Sequence, residues 1–213
     1  MRKKSPASAL LLLFLLVAAP VNTFALTFNL DFLYDGSSPA GASPWLTVTF
    51  EDITTDQVRL TLNSANLIGS ENVASWYFNI NPTISDLTPF YDSGPSALVL
   101  TGQNNQTAGS ASGFDIGMYF TEPFRAADQP AVYNFFGTGL TASSFDLVNE
   151  GGSFFSAAQV LGIGANAAFA WIADSQNNGP GPGPAPVAEP ATMILLSCGM
   201  AGLTFFGRKK FFA

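Results

Sequence analysis

From Leu26 onward apolar side chains return at every second position, and that two-residue period restricts the chain to β-structure. In "LTFNLDFLY", Leu26, Phe28, Leu30 and Phe32 share one face, while Thr27, Asn29 and Asp31 take the other. "WLTVTFED" repeats the pattern with Leu46, Val48 and Phe50, and "VRLTLN" with Val58, Leu60 and Leu62; a turn within Asp52–Gln57 joins the two as a hairpin. "SWYFNI" follows with Trp76, Phe78 and Ile80, then "GFDIGMYFT" with Phe114, Ile116, Met118 and Phe120. Shorter apolar stretches lie at 97–100, 131–136, 145–148, 157–163 and 168–172. Clusters such as "DGSSPAGASP", "NPTISDLTPFYDSGPS" and "TGQNNQTAGSASG" separate them as turns. No segment before Asp174 carries the period of a long amphipathic helix. The expected fold is all-β over residues 26–174: an antiparallel two-sheet sandwich, jelly-roll-like, flanked by an N-terminal signal helix and a C-terminal transmembrane helix.

The flanking segments follow from their own chemistry. Arg2, Lys3 and Lys4 precede the apolar run Ala9 to Ala19, and small residues stand at Thr23 and Ala25. This is the order of a secretory signal, so residues 1–25 are expected to be removed by signal peptidase, leaving Leu26 first. Cleavage after Ala19 is disfavoured because Pro20 would lie directly beyond the scissile bond. The run also falls well short of the roughly 20 residues that span a bilayer. At the other end, residues 175–187 contain "SQNNGPGPGPAP", an extended spacer, because every second residue of its Gly-Pro repeat lacks an N–H. Beyond it the uncharged run Ala191 to Phe206 reaches about 24 Å as a helix, against a hydrocarbon core of roughly 30 Å. Snorkelling by Lys209 and Lys210 covers the deficit. A transmembrane helix is therefore expected over 191–207, with Arg208, Lys209 and Lys210 on the cytoplasmic side and the β-domain outside.

With three cations at each end, only Arg59 and Arg125 lie between, against fifteen acids, a net charge of −13 over residues 26–190. Such a surface repels nucleic acid, which is excluded as a partner. The chain has no His, and its one Cys, Cys198, lies in the C-terminal apolar run as a small apolar filler. No intrachain disulfide can form, and Ser-His-Asp, Cys-His and His-ligated zinc chemistry are absent. Carboxylate-only catalysis remains open.

The C-terminal segment, 188–213, resembles the PEP-CTERM sorting segment of exported bacterial proteins: a short Pro-Glu-Pro-type motif, a transmembrane helix and a basic tail. Glu189, Pro190, Ala191 and Thr192 match, as do Arg208, Lys209 and Lys210, while Ala188 stands where the motif has its first proline. The resemblance implies processing by an exosortase-type sorting enzyme in a bacterium that makes extracellular polysaccharide, after at least transient insertion in the cytoplasmic membrane. A permanent single-pass anchor would use the same residues. The stretches "PWLTVTFED", "SWYFNINP" and "AAQVLGIGANAAFAWIAD", from Pro44 to Asp174, also resemble an exported family that carries such tails. That second likeness supports the domain boundary and implies no activity.

For sugar stacking the candidate residues are Trp45, Tyr77, Tyr119 and Trp171. Tyr77 and Tyr119 fall on the polar phase of their strands, whereas Trp76 is in phase with Phe78 and Ile80 and is expected in the core. Asp31, Asp35 and Asp115 are conceivable calcium ligands, but no EF-hand loop is present and no metal site is assigned. Glu51, Asp52 and Glu122 read as turn and edge residues, and no catalytic residue is assigned. "NQT" at Asn105 matches a glycosylation acceptor by chance composition, and "GIGANA" at 162–167 lacks the setting of a nucleotide loop, so no cofactor is implied. The expected function is a non-enzymatic cell-surface or matrix protein associated with extracellular polysaccharide, binding glycan or serving as structure. The alternative is a carboxylate-dependent polysaccharide hydrolase or lyase, which requires a concave face with two acids of raised pKa beside aromatic platforms.

Overall fold

A computed structural model describes residues 24–64, 66–175 and 181–182. The strands are β1 Ala25–Gly36, β2 Leu46–Thr54, β3 Gln57–Asn63, β4 Asn72–Phe78, β5 Thr88–Ser93, β6 Ala97–Ala108, β7 Ala111–Phe124, β8 Ala131–Phe136, β9 Ser156–Ile163, β10 Ala168–Asp174 and the short β11 Gly181–Pro182. One 3-10 turn, Ala142–Phe145, occupies part of the stretch between β8 and β9. The described residues are thus all-β, as the two-residue period requires.

Hydrogen bonding runs through ten strands in one path, β5-β8-β3-β2-β1-β10-β9-β4-β7-β6, with β11 added beside β1. Neighbours are antiparallel throughout, so the strands form a single sheet rather than the two separate ones expected. The two ends of the path, β5 and β6, are consecutive in the chain and joined only by residues 94–96. So short a link holds the ends together and curls the sheet nearly into a barrel. Gly94, at φ +81, makes the link possible, since a Cβ there would collide with the carbonyl oxygen of Pro130. Across the same gap the Ala97 N–H donates to the Tyr133 hydroxyl at 2.6 Å, tying β6 to β8 by a side chain where no ladder exists.

Alternation fills the inside. Leu26, Phe28 and Leu30 of β1, Leu46, Val48 and Phe50 of β2, and Val58, Leu60 and Leu62 of β3 are all buried, as their phase predicts. Phe50 stacks on Phe145 with ring centroids 4.1 Å apart and meets Phe78 edge-on at 5.4 Å. Trp76 is fully buried, as expected, and its indole N–H donates to the Ser156 hydroxyl at 2.8 Å. The stretch 145–148 is no strand: Phe145 ends the 3-10 turn and plugs the core there.

A second, smaller apolar cluster lies on the outside of the sheet, built on Tyr77, Phe114, Ala157 and Ala173. The tip of the β6–β7 hairpin covers it. Ala108 and Ala111 are buried, the Tyr34 hydroxyl donates to the Ala108 carbonyl at 2.8 Å, and a Cβ on Gly109 would sit 2.9 Å from the Trp171 ring.

Candidate ligand-binding surfaces

Of the four stacking candidates, Tyr77 and Trp45 are buried, while Tyr119 and Trp171 are half-buried. Tyr77 is on the polar phase of β4, yet it is only 3% exposed because the β6–β7 tip closes over that outer face. Burial pushes its hydroxyl pKa up to about 12. Tyr119 and Trp171 are half-buried in the same cluster, with the Tyr119 hydroxyl donating to Gln106 Oε1 at 3.0 Å. Trp45 belongs to the inner core, its indole N–H donating to the Gly41 carbonyl at 2.9 Å. Of the sorting and cleavage residues, Ala25 and Leu26 open β1; Thr23, Glu189 to Thr192 and Arg208 to Lys210 lie outside the described residues. So do the segments where the two terminal helices are expected. Among the described residues, no helix is long and apolar enough to cross a membrane.

Two concavities among the described residues are candidates for a ligand. The first is a cleft of about 310 Å³ where β6 faces the loop leading into β5, lined by Ile80, Ile84, Leu87 and Ile116 with Thr101, Gln103 and Asp115 among them. Asp115, 5% exposed, accepts the Ile80 N–H on one carboxylate oxygen at 3.0 Å and the Asn104 N–H on the other at 2.7 Å. It pins the irregularity in β6, where the pairing jumps from Thr101–Ile116 to Gln106–Phe114. Asp115→Ala is expected to cost about 2 kcal/mol, because the buried Ile80 donor loses its partner while Asn104 can turn to water. Urea unfolding checks it, and an unchanged midpoint would show that Asp115 does not hold the bulge.

The second is a shallow groove of about 390 Å³ formed by the β2–β3 turn, the start of β5 and the end of β8. Asp56, Asp86, Thr54, Gln57 and Thr138 line it together with Phe136, whose ring is 41% exposed. Asp86 accepts the Thr138 hydroxyl at 2.8 Å and the Thr138 N–H at 3.0 Å; these bonds hold its pKa below the usual carboxylate range. Asp56 accepts the Gly139 N–H at 2.7 Å. The groove therefore sets hydrogen-bond acceptors beside an aromatic face, with Asp86 in particular suited to accept from hydroxyls rather than to donate a proton. Sequence reasoning missed it. The readable signal was Phe136 itself, out of phase with the inward Tyr133 and Phe135 on β8.

The acid whose pKa is raised lies elsewhere. Asp174, 5% exposed, is pushed up to about 6 mainly by burial, with the Asp31 charge adding and a 2.7 Å bond from the Ser156 N–H opposing. Asp31 accepts the Ser175 N–H at 3.1 Å. Neither lines the cleft or the groove. Among the described residues no three acidic or Cys side chains gather as metal ligands. Comparisons with protein families, characterised proteins and solved structures return no match to this chain.

Proposed function

We propose that this is an exported protein whose tail directs it, through an exosortase-type enzyme, from the cytoplasmic membrane to the cell surface or matrix, where the β-domain serves as a non-catalytic module that binds extracellular polysaccharide. The observation that carries the binding role is the groove beside Phe136, an exposed ring flanked by carboxylates already held by Thr138 and Gly139 donors. The Thr138 bonds hold the Asp86 carboxyl below the usual carboxylate range, so it is suited to accept rather than to donate a proton, which favours binding over the hydrolase alternative.

The sorting half is tested by the intact mass of the protein from its native envelope, with both termini mapped. The expected chain begins at Leu26 and ends near Glu189. Retention of Arg208 to Lys210 would make the tail a single-pass anchor and remove the exosortase from the account.

A further inference from the structure

Arg59 is one of only two cations over residues 26–190, and it stands on β3 with a strand on either side. Cross-strand register sets Glu51, Arg59, Asn134 and Phe90 side by side on β2, β3, β8 and β5, so the four side chains share the outer face of the sheet. Gln57 and Phe136, which line the groove, form the next row along, about 6.7 Å away. Phe90 is 64% exposed and Phe136 41%, so two phenyl rings flank Asn134 in solvent. Beside them, Arg59 Nε and Asn134 Oδ1 are buried without a hydrogen-bond partner, and Asn134 itself is only 9% exposed. Glu51 lies opposite, yet among the described residues no ion pair within 4 Å engages Arg59. A buried donor and a buried acceptor left unpaired are each costly, and these two are complementary and stand in facing positions.

We propose that Arg59 receives the carboxylate of an acidic sugar, with Phe90 and Phe136 stacking on the C–H faces of that unit and its neighbour. Capture of the carboxylate on the terminal Nη groups fixes the guanidinium plane and turns Nε–H toward Asn134 Oδ1, so that binding satisfies both orphan groups. Such an anion must be isolated. The net charge of −13 over residues 26–190 repels a polyuronate, and Asp56 and Asp86 in the groove disfavour a second carboxylate one row away. The ligand is therefore a polysaccharide in which single uronic acids recur among neutral sugars, the acid on Arg59 and a neutral unit in the groove. The inference rests on the reading of the domain as a glycan-binding module, to which it adds the ligand's class and a second subsite.

The test titrates the full-length chain, in a non-glycosidic detergent, with soluble gellan oligosaccharides, whose glucuronates are isolated between neutral sugars, and with the same oligosaccharides after carboxyl reduction. The acidic form is expected to bind about tenfold more tightly than the reduced form. Arg59→Gln should abolish that preference, and Phe90→Ala should weaken binding about fivefold at an unchanged melting temperature. Glu51→Gln removes the competing acid and leaves Arg59 in place; it is expected to bind about threefold more tightly, which keeps the test decisive should Arg59→Gln fold poorly. Equal affinity for the two forms, lost in Phe136→Ala and kept in Phe90→Ala, would overturn this inference and leave the groove as the glycan site. Tighter binding of alginate oligosaccharides would show that charge density is read instead of an isolated acid, and would overturn it as well. No binding to any polysaccharide would overturn this inference and the binding role together.

Discussion

Phe50→Ala is expected to destabilise the domain by about 3–5 kcal/mol, enough to unfold much of a marginally stable chain. Phe50 is fully buried and contacts Phe28, Phe78 and Phe145, so its ring joins β1, β2 and β4 to the 3-10 turn. The turn cannot follow the missing ring inward, because Asp52 holds the Ala142 N–H at 2.6 Å. The cavity term therefore adds to the lost transfer energy. Phe136→Ala, at an exposed ring of the same size, is the internal contrast and should change stability by no more than about 0.5 kcal/mol. Urea unfolding of both variants decides it. A loss below about 1 kcal/mol for Phe50→Ala would mean that the three remaining rings repack, and that the core is less tightly specified than its stacking geometry states.

The second large effect concerns pH. Asp174 has a folded pKa of about 6 against 3.8 in the unfolded chain, so burial penalises its charged form. Below the unfolded value both states are protonated and its contribution is fully present; it is lost as pH rises through about 6. The difference amounts to about 3 kcal/mol between acid and neutral solution. Asp86, exposed and with a lowered pKa, works in the opposite sense and loses stability as pH falls. Comparison with Asp174→Asn isolates the buried group, since an amide oxygen still accepts the Ser156 N–H without ionising. The variant is expected to gain stability relative to the parent as pH rises from about 4 to about 7. Parallel pH profiles would show that Asp174 keeps an ordinary carboxylate pKa.

Most of the strands were legible because alternation reports one buried face. β1 to β4 and β7 place most of the named apolar residues inside; the exceptions are Phe32, 46% exposed beyond the β1 irregularity at Leu30/Phe32, and Phe114, which joins the outer cluster. β5 was not legible: Thr88–Ser93 lies in a stretch rich in Pro, Ser and Asp, and it is a strand only because it pairs with β8 at the sheet's end. The second half of β6 was hidden likewise, since "GQNNQTA" reads as a turn until Asp115 pins its bulge. Edge strands bury little, so tertiary pairing rather than pattern makes them. The single continuous sheet was invisible for a related reason. Periodicity shows which side of a strand is inside, and says nothing about which strand lies beside it.

The site residues divide the same way. Trp76 obeyed its phase. Tyr77 obeyed it too, yet it is buried, because the polar face of β4 is roofed by a hairpin more than thirty residues later in the chain. The groove at Phe136 joins the β2–β3 turn, the start of β5 and the end of β8, three segments that no local pattern brings together.

The sheet order also fixes a timetable. β1, which opens the described chain, sits at the middle of the path, with β2 on one side along Ala25–Leu30 and β10 on the other along Leu30–Gly36. A chain emerging from its amino end can close the β2–β3 hairpin early, but the far half of its first strand waits until Asp174 has followed. The sheet therefore closes late, through contacts between the two ends of the described chain, which is the slow, non-local class of folding. The middle strand of the finished sheet is thus one of the last to gain both of its neighbours.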